Sequence, residues 1–178
     1  YPIEPKTEWQ IFIENATKDN SEINAEGLSR LLKKYDLNYR DYIWTIVIND
    51  LSEYDRVVNL AYFLEQGNTL SGLTEKKAEL LLTLFAWLLS SSNRSLRDRV
   101  SKAMIEVLKS HLKLCKPLLT KFSYVNDPYI LQRLYGVVFG AVIKRNDEFE
   151  FDFTSLASWI YQNVFSGEFV YPDILFRD

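Results

Sequence analysis

Apolar positions recur at helical spacing along the chain, separated by short polar breaks. The pattern predicts a succession of short to medium helices. Trp9, Phe12 and Ile13 mark a first helix over residues 7–17, and Ile23, Leu28, Leu31 and Leu32 form one stripe over 22–35, with Lys33 and Lys34 near its end. Asp41 is expected to cap a third helix whose apolar side is Ile43, Trp44, Val47 and Ile48. The β-branched stretch 44–48 also suits a short strand, but the sequence offers it no partner, so helix is the preferred reading. A fourth helix over 53–66 places Val57, Val58, Leu60, Ala61, Phe63 and Leu64 inside, and Gly67 and Asn68 stop it.

Residues 67–73 read as the clearest loop. Thr74 has Lys77 at the third position, so it is expected to cap alone rather than in a capping box. Residues 75–90 are apolar almost all round, which predicts the most buried helix. The next helix, about 94–110, carries Leu96, Val100, Ala103, Met104 and Val107 on one face. Another follows His111 to about Phe122, with Pro117 bending or restarting it. Asp127 and Pro128 are a strong start signal for a helix reaching about Lys144. Residues 145–152 read as a charged loop and 154–166 as a final helix ending at Gly167. No βα alternation occurs, so the class is all-α.

Two segments repeat one design. Residues 85–108 and 118–143 are each an apolar helix end, a polar break, and a second helix with an arginine near its start. Setting Ser92 and Asn93 against Asn126 and Asp127 brings Arg99 onto Arg133, Val100 onto Leu134 and Ala103 onto Val137. A repeated helix–turn–helix unit predicts a right-handed α-α superhelix, a solenoid of stacked antiparallel helix pairs. On this reading residues 1–178 are one helical-repeat domain, with 1–70 divergent and 75–178 clearer.

Composition narrows the function. The 178 residues suffice for one domain with a substantial core, and eleven Phe, eleven Tyr and four Trp against five Pro and six Gly suit packed helices. The net charge of −3 and pI of about 5.3 disfavour a generic nucleic-acid backbone binder. One cysteine, Cys115, permits no internal disulfide and fits a reducing cytoplasm. The most apolar run, residues 80–89, is far short of the roughly 20 residues a membrane span needs. The chain begins at Tyr1 and its one methionine is Met104, so a piece of a longer protein is expected; residues 172–178 look like the opening of another repeat helix.

The basic residues Arg94, Arg97, Arg99 and Lys102, joined by Arg133, are the candidate partner-binding set. Asp98 interrupts the cluster, and pairing with neighbouring turns is the stronger expectation for these side chains. His111 and Cys115 stand four apart, but two ligands fall short of the three or four a zinc site needs. Asp147, Glu148, Glu150 and Asp152 alternate with Phe149, Phe151 and Phe153, which are expected to tuck back onto the last helix rather than anchor a partner. Tyr35, Tyr39, Tyr42 and Tyr54 are expected to pack between helices with the hydroxyl at the surface.

The paired helices resemble HEAT/armadillo-like repeats, with Asn93 and Asp127 in the turns. Arg97, Arg99 and Arg133 lie in the second helices, and Ala103, Gly136 and Gly140 stand as small packing positions. Arg177 would open a third such helix. The order of LLSSSNRSLRDRVSKAM, VNDPYILQRLYGVVFGAV and VFSGEFVYPDILFRD is also similar to the helical C-terminal region of large bacterial STAND-type NTPases, many proposed to act in defence against phage. That resemblance implies a cytoplasmic, non-catalytic sensor or scaffold arm that binds a protein partner beside other domains of a longer chain. No GxxxxGK[ST] loop is present, so no cofactor is expected in this segment. The alternative is a HEAT-like nucleic-acid-binding module using the same five basic residues.

Overall fold

Helices make up all the regular structure of residues 8–146, 148 and 150–167, the part of the chain that the computed structural model describes. No strand forms among them, so the all-α reading holds. The chain divides into two compact units, Tyr1–Met104 and Ile105–Asp178.

In the first unit, helix α1 spans Glu8–Glu14 and α2 spans Ala25–Leu32. Asn24 starts α2: its side-chain oxygen accepts from the N–H groups of Glu26 (3.0 Å) and Gly27 (3.1 Å). Two of the helix's orphan donors are thereby satisfied. Ile23, placed on the apolar stripe by sequence, precedes the helix and is exposed. Helix α3, Leu37–Arg40, continues through a π-helical stretch, Asp41–Thr45, into α4, Ile46–Asn49. Its cap is Asp36, whose carboxylate accepts from the Tyr39 N–H at 2.8 Å. Asp41 already has helical dihedrals and therefore does not cap. The 44–48 stretch is helical, with Trp44 and Ile48 turned inward and fully buried.

Helix α5, Arg56–Glu65, buries Val57, Val58, Ala61 and Leu64. Phe63 is exposed instead, because the inward face is set by the 57, 61, 64 spacing and Phe63 falls to one side of it. Gly67 ends this segment with a positive φ of 79°, donating its N–H to the Leu64 carbonyl at 2.9 Å. Helix α6, Glu75–Leu88, is capped by the Thr74 hydroxyl alone and is buried from Leu80 through Leu88. Helix α2 packs against it. Helix α7, Arg94–Leu108, begins in the first unit and ends in the second.

The second unit continues with a 3₁₀ turn at Leu112–Leu114, α8 at Cys115–Ser123 and α9 at Pro128–Ile143. Pro117 lies exposed in the first turn of α8, where its missing N–H costs nothing, and the helix restarts two residues before it. Asp127 caps α9 by accepting from the Ile130 N–H at 3.2 Å. Helix α10, Glu150–Ile160, starts earlier than the pattern suggested and runs into a π-helical turn at Tyr161–Phe165. The reason is local: Arg145 reaches Glu150 at 3.1 Å and lies over the Phe153 ring at 4.0 Å, drawing the acidic stretch into the first turn. Phe153 thus lies in α10 itself, half-buried beneath Arg145, rather than tucking back onto the helix from a loop, and Phe151 is 84% exposed. Asp147, Phe149, Arg177 and the stretch 172–178 lie outside the described residues.

The offset of 34 seen in the letters recurs in the burial. Leu96, Val100, Ala103, Met104 and Val107 of α7 are buried, and so are Ile130, Leu134, Val137, Val138 and Ala141 of α9. Leu81, Leu84, Phe85 and Leu88 of α6 match Cys115, Leu118, Leu119 and Phe122 of α8 in the same way. The caps correspond too, since Asn93 accepts from the Leu96 N–H at 3.3 Å as Asp127 does from that of Ile130. Of the two glycines expected to be packing positions, Gly140 is one: a Cβ there would stand 2.6 Å from Ile105 Cδ1. Gly136 is not, because nothing lies within 4 Å of a Cβ built on it.

Candidate interaction site on helix α7

The end of α5 and the first half of α7 frame an open depression lined by Glu65, Arg94, Ser95, Asp98, Arg99 and Lys102. Three of the basic residues picked out by sequence therefore meet there. Each is engaged by a carboxylate. Glu65 lies 2.9 Å from Lys102 Nζ and 3.4 Å from Arg99 Nε, and Asp98 lies 3.5 Å from Arg94 Nε along the helix. The Arg99 guanidinium also covers the Tyr62 ring at 5.2 Å.

Arg97 does not join this surface group. It turns back to donate to the Ser91 carbonyl at 2.5 Å, bracing the turn before α7. The Ser91 hydroxyl in turn donates to Asn49 at 3.1 Å. Arg133 belongs to the second unit, where its Nε donates to the Tyr129 hydroxyl at 2.9 Å and its guanidinium lies over that ring. Pairing with neighbours was the expectation for these cations, but Glu65 was not foreseen as the hub. The signal was available: Glu65 stands 34 residues before Arg99, one repeat period. Arg94 and Lys102 reach well into solvent, where such pairs are worth about 0–1 kcal/mol each, so they orient the side chains more than they hold the fold, whereas the Arg99–Glu65 pair is half-buried. Three cations against two carboxylates leave little excess charge for a phosphate.

A second ionic cluster lies in the second unit. Glu106, whose side chain is only 10% exposed, meets Lys109 at 2.5 Å and Lys144 at 2.8 Å. Burial opposes the charged carboxylate, but the hydrogen bonds and charges of the two lysines outweigh it and hold the carboxyl below its usual 4.5. A depressed folded pKa gives stability that is present above the unfolded value and lost as pH falls through the folded one. Stability is therefore expected to fall below about pH 4.5 partly through this group, and Glu106→Gln should flatten that part of the acid limb. Urea midpoints of both proteins across that range measure it.

His111 and Cys115 do not form a reactive pair. The His111 Nδ1 lies 2.9 Å from the Val107 carbonyl, within donating distance, and Cys115 is fully buried. Burial, with a lesser push from Asp152, raises the thiol to about 12. Native protein at pH 8 is therefore expected to resist an aromatic disulfide reagent that labels the urea-unfolded chain at once. Rapid labelling in the native state would show that α8 opens readily. Among the described residues no three His, Cys, Asp or Glu are placed to hold a metal ion, and no helix is long and apolar enough to cross a membrane.

The sequence did not reveal a cleft of about 640 Å³ in the first unit, lined by Ile13, Leu51 and Leu60 with the polar side chains of Glu14, Asp50 and Asp55. Tyr54 is also on its lining and is 92% exposed. Tyr39 and Tyr42 are exposed as well, so these three tyrosines are surface residues rather than packing between helices. Tyr35 and Tyr39 instead pair with each other, their rings 5.0 Å apart.

Compared with protein-family models, curated proteins and solved structures, the chain matches none.

Proposed function

We propose that this chain is a non-catalytic helical-repeat module that holds a protein partner, its helix pairs stacking as a solenoid in the manner of HEAT-like repeats. The observation that carries the reading is the common register of α6–α7 and α8–α9: burial and caps repeat together at an offset of 34. A unit repeated in this way builds extended surface rather than a reaction centre. In its fullest form the module is the sensor or scaffold arm of a larger cytoplasmic bacterial NTPase, coupling what it binds to a motor elsewhere in the longer chain.

The pairing of Arg94, Arg99 and Lys102 with Asp98 and Glu65 favours a mixed polar contact to protein over a phosphate track. The test is to titrate the chain with ATP and with single- and double-stranded DNA and RNA at two salt concentrations. No saturable binding is expected. Saturable ATP binding would overturn the non-catalytic reading, and nucleic-acid binding that weakens steeply with salt would replace the protein partner with a phosphate backbone.

A further inference from the structure

The cleft of the first unit shares no lining residue with the depression on α7. Ile13, Leu51 and Leu60, all half-buried, give it an apolar lining together with the buried Leu81 and Leu84 of α6. Its volume of about 640 Å³ falls within the roughly 300–1,000 Å³ of sites that enclose a ligand.

The charge of this cleft is one-sided. Among the described residues, Glu14, Asp50 and Asp55 line it against one cation, Arg56, whereas the α7 depression sets three cations against two carboxylates. Folding does not account for Asp50. It follows directly on α4, at the carbonyl end of the helix, where the helix dipole disfavours a carboxylate. It is exposed, and no ion pair engages it among the described residues. Asp55 accepts from the Ser52 N–H at 2.7 Å and the Ser52 hydroxyl at 3.0 Å, which fixes the turn that carries Tyr54. Tyr54 is 92% exposed there and adds almost no burial to the fold.

A lysine or arginine side chain matches such a lining. Its aliphatic stem lies along apolar surface while its head reaches carboxylates, and the face of a tyrosine attracts the same cation. We infer that the cleft seats a segment of the protein partner that carries lysine or arginine beside an aliphatic side chain, the cation meeting Asp50 and the aliphatic group meeting Leu51 and Leu60. The excess of carboxylates draws the segment in and sets its orientation, and the apolar lining holds it. The inference rests on the reading of the chain as a module that holds a protein, and it names the chemistry of that protein's contact segment.

The probe is a short blocked peptide of alternating leucine and lysine, titrated into the isotope-labelled full chain and followed through its amide NMR shifts. Saturable shifts are expected at Ile13, Glu14, residues 50–56 and Leu60, with a Kd between about 10 µM and about 1 mM. A leucine–glutamate peptide should leave these amides unmoved, and a serine–lysine peptide should bind at least about tenfold more weakly. These two peptides test the match without touching the fold. Asp50→Lys suits the end of α4, so helical circular dichroism should be unchanged while the leucine–lysine peptide binds at least about tenfold more weakly. The assignment is overturned by an absence of saturable binding, by shifts confined to another surface, by equal binding of the serine–lysine peptide, or by binding that Asp50→Lys leaves intact. Each of those results leaves the protein-holding reading standing, whereas saturable ATP or nucleic-acid binding would remove that reading itself.

Discussion

Replacing Gly27 by alanine is expected to lower stability by about 3 kcal/mol. A Cβ on Gly27 would stand 1.8 Å from the Glu22 carbonyl oxygen, 2.9 Å from its carbon and 3.1 Å from the Phe12 ring. The obstacle is backbone, so no rotamer change relieves it. The Glu22 carbonyl belongs to a loop pinned by Asn24, which accepts from Glu26 and Gly27 and donates to the Lys18 carbonyl at 3.1 Å. Moving that loop breaks the cap of α2, and α2 covers α6, the most buried helix. Gly27 is there for space and not for a left-handed backbone. Gly136→Ala is the control: its Cβ meets nothing, and removing a glycine from mid-helix should stabilise by about 0.5–1 kcal/mol. Urea denaturation separates the two. Gly27→Ala should lower the midpoint with little change in slope, and Gly136→Ala should raise it. Equal midpoints would refute the close contact at Glu22.

The contrast between these glycines shows where the sequence is legible. Burial of α6, the solitary Thr74 cap, the Gly67 stop and the Asp127–Pro128 start follow from local rules that need only a few neighbouring letters. Gly27, Gly136 and Gly140 read alike in sequence, and only the element lying opposite distinguishes a notch from open surface. The cap of α3 was misplaced for a related reason. Asp36 and Asp41 are both good N-cap types, and the choice rests on which keeps an extended backbone. At the candidate site the cations of α7 could be found as a cluster, because they crowd one helix. Their carboxylate partner on α5 needed the repeat period applied backwards from Arg99. Helix α10 was begun late because its alternating acidic and phenylalanine residues look like a solvated loop until Arg145 is seen to gather Glu150 and Phe153.

Trp44→Ala is expected to destabilise the chain by about 4 kcal/mol, the largest single effect. Trp44 lies in the π-helical stretch between α3 and α4 and is 1% exposed. Its indole N–H donates to the Trp87 carbonyl at 3.0 Å, and its ring meets Trp9 edge to face at 6.0 Å. The truncation removes the largest kind of side chain from a site walled by α6, leaving a cavity that a packed helix cannot collapse to fill. Trp44→Phe apportions the effect. The Trp87 carbonyl also accepts from the Ser90 hydroxyl at 2.8 Å, so it keeps a partner when the indole is lost. The phenylalanine variant should therefore lose only about 1–2 kcal/mol, mostly from volume. If both variants lose the same amount, the hydrogen bond and not the ring anchors this helix to α6. If Trp44→Ala loses under about 1 kcal/mol, Trp44 does not face inward, and the helical reading of 44–48, which turns it toward α6, fails with it.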